Sequence, residues 1–188
     1  LRANLSFFFN KNEIKYSRKD ITIINKIYNI AFAINNNDKN RLKTHKIFSN
    51  KILNLILSKQ LLNFLQLGFI QQMFFIHNRI FIIYELLELL KDKKKSFWKK
   101  LIYEDNVGSP VRYFLYPYSS GNKIHQTFHL KKFNDFSKIN LKEFNYVIEF
   151  GGGYGNMAKT FKRISPNINY IIFDTIEVNL LQYYYLKK

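Results

Sequence analysis

Glu149-Phe150-Gly151-Gly152-Gly153-Tyr154-Gly155 places an acid two residues ahead of a glycine cluster, and Asp174 follows 19 residues after Gly155. Glycines at 151, 153 and 155 let a turn bend sharply and let a ligand reach the backbone without meeting a Cβ. The N–H groups that open the next helix can receive a carboxylate or phosphate. An acid about 20 residues on suits a pair of ribose hydroxyls. The ligand expected is a nucleoside-containing cofactor at the carboxyl ends of parallel strands.

The acid narrows the choice. The dinucleotide pattern G-x-G-x-x-G would need glycine at 156, where this chain has asparagine. A carboxylate at 149 would repel a doubly anionic pyrophosphate. It suits S-adenosylmethionine, which sets an ammonium and a sulfonium against one carboxylate. A glycine turn with no ligand, and Asp174 as a plain helix cap, are the alternatives.

Two histidines offer a base. His125 and His129 are spaced i, i+4, so a helix would put both on one face. A hydroxyl acceptor needs a general base, and histidine is the commonest. As a metal pair they lack an evident third ligand. The plain alternative is two surface or structural histidines. His45 and His77 fall in apolar helical segments and read as structural.

These groups need elements to hold them. Tyr146-Val147-Ile148 is a short apolar run, as for a strand buried on both faces of a parallel sheet. Met157, Ala158, Phe161 and Ile164 keep helical spacing, and Ser165-Pro166-Asn167 stops that helix. Tyr170–Phe173 is a second buried strand, with Asp174 at its end and Thr175 able to cap a last helix. Right-handed crossover makes the two strands parallel.

The Glu149–Gly155 turn resembles motif I of class I methyltransferases, and Asp174 resembles their motif II acid. Phe150–Asn156, Tyr170–Asp174 and Leu181–Leu186 are together similar to the sugar O-methyltransferases of surface-polysaccharide gene clusters. Ser120–Leu130 and Gly68–Arg79 also look like that group. Many members have proline soon after the acid, where this chain reads Asp174-Thr175-Ile176. The resemblance implies a cytoplasmic methyltransferase that O-methylates a sugar hydroxyl in polysaccharide or glycan biosynthesis. It implies that Gly151, Gly152, Gly153 and Gly155 lie against the methionine part of S-adenosylmethionine. Glu149 would meet its ammonium, Asp174 its ribose and Thr175 the region of its adenine. Arg112 and the tyrosine-rich stretch 113–118 could line a sugar site.

Upstream, the chain changes character. Of its 188 residues, 30 are Lys or Arg and 13 Asp or Glu, a net charge of +17. Residues 1–100 carry 19 basic and 6 acidic side chains, and residues 101–188 carry 11 and 7. The excess suggests polyanions. It also suits a codon bias towards Lys (24), Asn (22) and Ile (24), with only 4 Ala and 4 Val. With no cysteine there is neither a disulfide framework nor a thiolate zinc site.

Ile21, Ile24, Tyr28, Ala31 and Ile34 keep helical spacing after Asp20, a candidate N-cap. Residues 42–67 read as one helix that Gly68 stops or kinks, and residues 69–93 as another. The uncharged run Gln60–Asn78 has 19 residues, of which seven are Gln, Asn or His, so no membrane span is expected. Amphipathic helices here would pack on each other or on a second copy of the chain. Residues 101–145 show turn signals and aromatics but little regular structure.

The expected class is therefore α/β. It comprises a helical region over 1–100, a connector and active-site cover over 101–145, and the first βαβα part of a Rossmann-like domain over 146–188. The start at Leu1 and the end at Lys188 suggest a fragment, inactive alone and exposing part of a core. Two other functions compete. One is a nucleic-acid methyltransferase that grips phosphates with its basic region, and the other a non-catalytic helical interaction module.

Overall fold

The computed structural model describes residues 16–35, 43–74 and 80–188. In chain order the elements are α1 (Arg18–Asn35), α2 (Lys43–Leu57), α3 (Gly68–Met73), α4 (Phe81–Lys91) and α5 (Lys95–Ile102). A hairpin of β1 (Arg112–Tyr113) and β2 (Tyr116–Ser120) follows, and then α6 (Gly121–Ser137). The chain continues through β3 (Tyr146–Phe150), α7 (Asn156–Ile164), β4 (Asn169–Phe173) and α8 (Ile176–Lys187). It is a mixed α/β chain with two small sheets. The β1–β2 pair is antiparallel, and β3 and β4 pair in parallel, in register from Tyr146↔Asn169 to Phe150↔Phe173. Among the described residues no helix is long and apolar enough to cross a membrane.

Local signals decided several boundaries. Ser17, not Asp20, caps α1. The Ser17 Oγ accepts from the Asp20 N–H at 3.2 Å, and Asp20 Oδ2 accepts from the Ser17 N–H at 2.8 Å. That reciprocal pair is a capping box with Asp in place of Glu. The apolar stripe of α1 is rotated from the expected one: Ile23, Ile24, Ile27 and Ala31 are buried, while Ile21 is half exposed. The predicted helix over 42–67 ends at Leu57, followed by Lys59 in the left-handed region and a short 3-10 turn at Phe64–Gln66. Gly68 opens α3 rather than closing a long helix. Residues 101–145 are largely regular, because α6 alone spans 17 residues. Ser120 caps it, its Oγ accepting from the Lys123 N–H at 3.1 Å. His45 lies on α2, and His77 lies outside the described residues.

Two hydrophobic clusters hold these elements, and each joins the N-terminal helices to residues beyond 146. In the first, Ile24, Ile27, Ile52 and Ile56 of α1 and α2 pack against Leu181, Tyr184 and Tyr185 of α8. Phe64 meets Tyr154, Tyr184 and Tyr185 edge-on with ring centroids 6.2–6.3 Å apart. In the second, Leu89, Trp98 and Leu101 of α4 and α5 pack with Ile124 and Phe128 of α6 and with Phe161 and Ile164 of α7. Val147 and Tyr170 of the parallel pair join that cluster.

The opposite face of the β3–β4 pair is open, contrary to the expectation of strands buried on both sides. Tyr146, Ile148, Phe150, Ile171 and Phe173 are exposed there, and Phe150 stacks on Phe173 at 5.2 Å. The apolar run is satisfied on only one face by the described residues.

Gly108 fixes the loop before the hairpin onto the 3-10 turn. Its φ is +74°, its carbonyl accepts from the Leu65 N–H at 3.0 Å, and a Cβ there would lie 2.3 Å from Phe64 Cε1. Gly108→Ala is expected to cost about 2–3 kcal/mol by combining left-handed strain with overpacking. Urea unfolding of both proteins checks this, and an unchanged midpoint would refute it.

Candidate functional site

Strand β3 ends at a glycine turn that leads into α7. Gly151, Gly153 and Gly155 have φ of +70°, +56° and +95°, so three of the four glycines occupy backbone that L side chains disfavour. Gly152 is required for a different reason. A Cβ there would lie 2.6 Å from Ile172 Cγ2 and 2.9 Å from Glu149 Oε2. At Gly151 a Cβ would meet nothing within 4 Å, so the backbone on that side is open.

An open cleft of about 260 Å³ faces this turn. Glu149, Gly151, Gly152 and Gly153 line it from the strand side, with Asn122 and Gln126 from α6 and Met73 and Phe74 from α3 and its end. The polar wall is braced. Tyr154 Oη accepts from Asn122 Nδ2 at 3.0 Å, and Gln126 Oε1 accepts from Asn156 Nδ2 at 2.8 Å.

Glu149 and Asp174 sit one strand apart at the carboxyl end. Glu149 registers with Ile172, so the two project to the same side of the sheet, and Asp174 follows the last residue of β4. Burial raises the Glu149 carboxyl above its usual range, the Asp174 charge adds to that, and the Tyr170 hydroxyl, donating to Oε2 at 2.9 Å, opposes it. Asp174 is also raised by burial, against hydrogen bonds from the Thr175 N–H to Oδ1 at 2.8 Å and from Gln182 Nε2 to Oδ2 at 3.1 Å. Two half-buried carboxylates, both raised by burial, would gain from an incoming cation.

The predicted residues are therefore only partly brought together. Glu149 and Gly151–Gly153 share the cleft. Gly155 lies behind it, packed on Leu186. Asp174 is outside the cleft lining but tied to it by Gln182, whose Nε2 also donates to the Gly153 carbonyl at 2.8 Å. Thr175 is exposed and starts α8 without a side-chain cap bond, so it does not cap as predicted. Arg112 is not in the cleft lining. Its guanidinium donates to the Glu104 and Asp105 carbonyls at 2.8 and 3.1 Å and so holds a loop.

His125 and His129 do share a face of α6, on the flank towards α4. His125 Nδ1 donates to Glu85 Oε1 at 2.8 Å, and the two Nε2 atoms stand 3.2 Å apart. Neither histidine lines the cleft; Asn122 and Gln126 of the same helix do.

Sequence reasoning passed over Asn122, Gln126, Gln182 and Glu85. Gln182 lay inside the Leu181–Leu186 string without a role, and Glu85 is 40 residues from the histidine it holds. Comparison with protein-family models, curated proteins and solved structures found no match.

Proposed function

We propose that this chain is an S-adenosylmethionine-dependent methyltransferase whose acceptor is a sugar hydroxyl. The observation that carries the reading is the acid pair Glu149 and Asp174 flanking a left-handed glycine turn at the end of two parallel strands. S-adenosylmethionine would supply an activated methyl group. Glu149 would bind its ammonium, the methionine part would lie against the open backbone at Gly151, and Asp174 would accept from the ribose hydroxyls. The same acid pair disfavours a pyrophosphate. The β–α–β–α order fits the opening of a Rossmann-like methyltransferase domain, with a cytoplasmic location.

The sugar acceptor rests on resemblance, with one spatial support. Gly68–Arg79 and Ser120–Leu130 are far apart in sequence, yet Met73, Phe74, Asn122 and Gln126 from these two strings line the same cleft. The proton of the acceptor hydroxyl would go to the His125–His129 pair, whose tautomer Glu85 sets by holding the Nδ1–H. Alignment of acceptor and methyl would supply most of the rate, up to ~7–11 kcal/mol in favourable cases.

Calorimetry on the full chain tests the reading. S-adenosylmethionine is expected to bind at about micromolar Kd, roughly −8 kcal/mol, and NAD to show no heat. No binding of the methyl donor, or tighter binding of the dinucleotide, would overturn it. A nucleic-acid acceptor would instead reveal itself as RNA or DNA binding that falls steeply with salt.

A further inference from the structure

The seam between α4 and α6 holds a cluster that the proposed function uses only as a proton acceptor. Glu85 is buried, at 6% exposure, and is held against His125 on the facing helix. Its Oε1 accepts the His125 Nδ1–H, but Oε2 is buried and makes no hydrogen bond among the described residues. A buried carboxylate oxygen without a partner is costly to hold. The Nε2 atoms of His125 and His129 face each other at 3.2 Å. Two nitrogens bound to one tetrahedral zinc at about 2.0–2.1 Å stand roughly 3.3 Å apart. One ligand atom from each of Glu85, His125 and His129 lies within 4.8 Å of the other two.

We propose that Glu85, His125 and His129 form a binding site for a divalent transition metal of the zinc class. His125 and His129 ligate through Nε2. Glu85 fixes the His125 ring through Nδ1–H and brings the negative charge that a dication compensates, the usual arrangement of a carboxylate behind a metal-bound histidine. The helix supplies the spacing, since i, i+4 residues stack on one face. His125 is partly exposed and His129 exposed, so the remaining positions are open to water or hydroxyl groups. A metal there would occupy the Nε2 lone pairs, and because a bound dication lowers the pKa of its water, metal-bound hydroxide rather than imidazole would be the group able to accept a proton.

The test does not depend on methyl transfer. The metal-free full chain is titrated with Co²⁺, followed by visible absorption, and with Zn²⁺, followed by calorimetry. One equivalent is expected to bind, with d–d bands of four-coordinate cobalt and a Zn²⁺ Kd of about 10 µM or tighter. His129→Ala, at an exposed position, is expected to abolish the bands while leaving the far-UV spectrum unchanged. Glu85→Gln is expected to weaken Zn²⁺ about 10–100-fold, the usual effect of losing such a supporting carboxylate. Zn²⁺ affinity weaker than about 1 mM, or binding unaltered in His129→Ala, would overturn the proposal. Failure here leaves the methyl-donor titration untouched, so the two readings are separable.

Discussion

Asp174→Ala is expected to weaken S-adenosylmethionine binding by at least 100-fold while leaving the chain folded. The carboxylate would accept from two ribose hydroxyls, and hydrogen bonds to a charged group contribute about 1.5–3 kcal/mol each. Two of them correspond to about 3 kcal/mol or more, which is a factor of 100 or above. The structural cost should be smaller. Asp174 Oδ1 accepts from the Thr175 N–H at the start of α8, a cap-like bond of about 1 kcal/mol. Gln182 keeps its bond to the Gly153 carbonyl when its second acceptor is lost. Asp174→Asn should sit between, because Asn can still accept from Thr175 but lacks the charge. Calorimetry and thermal unfolding on the same samples separate the two roles. Unchanged affinity with a lowered Tm would make Asp174 a helix-end residue and remove it from the cofactor site.

How much of this site was legible depends on the range of the interactions. The β–α–β unit and its glycine turn could be read because each signal is local: apolar runs, Ser165-Pro166, and glycines where φ is positive. The N-cap of α1 was misplaced by three residues because Ser17 and Asp20 both suit that position, and only the geometry assigns the roles. Helix α6 was hidden for a physical reason. It is packed on by α4, α5 and α7, and buries Asn122, Lys123, Thr127 and Lys131 among its apolar residues, so no clean apolar stripe remains. Which face of β3–β4 lies open was equally hidden, since an apolar run does not say which of its two faces is covered. Glu85 illustrates the limit: residues 40 apart meet only because α4 and α6 pack side by side.

Lys123 shows what a buried polar position does to stability, and it gives the largest pH effect expected here. It lies on α6, 1% exposed, and its Nζ donates to Asn156 Oδ1 at 2.9 Å and Thr160 Oγ1 at 2.7 Å on α7. Burial pushes its pKa down to about 7. Glu104 and Asp105 oppose the fall, and the charges of Arg163 and Lys159 add to it. An unfolded lysine titrates near 10.4. Between these values the unfolded chain holds a proton that the folded chain has released, so stability must rise with pH. The full span corresponds to about 4–5 kcal/mol, of which about 2–3 kcal/mol falls between pH 7 and 9. Lys159, also lowered chiefly by burial, acts in the same direction. Tyr154 and Tyr185, raised by burial, act in the opposite direction, but only near and above the usual tyrosine range at about pH 10. Urea unfolding at pH 7, 8 and 9 should therefore show the chain becoming steadily more stable. Lys123→Met keeps most of the side-chain volume and removes the titrating group, so its curve should lose most of that slope. Parallel pH profiles for the two proteins would mean that Lys123 stays charged in the folded state. The α6–α7 seam beneath the cleft would then be held by an ion, not by a neutral amine.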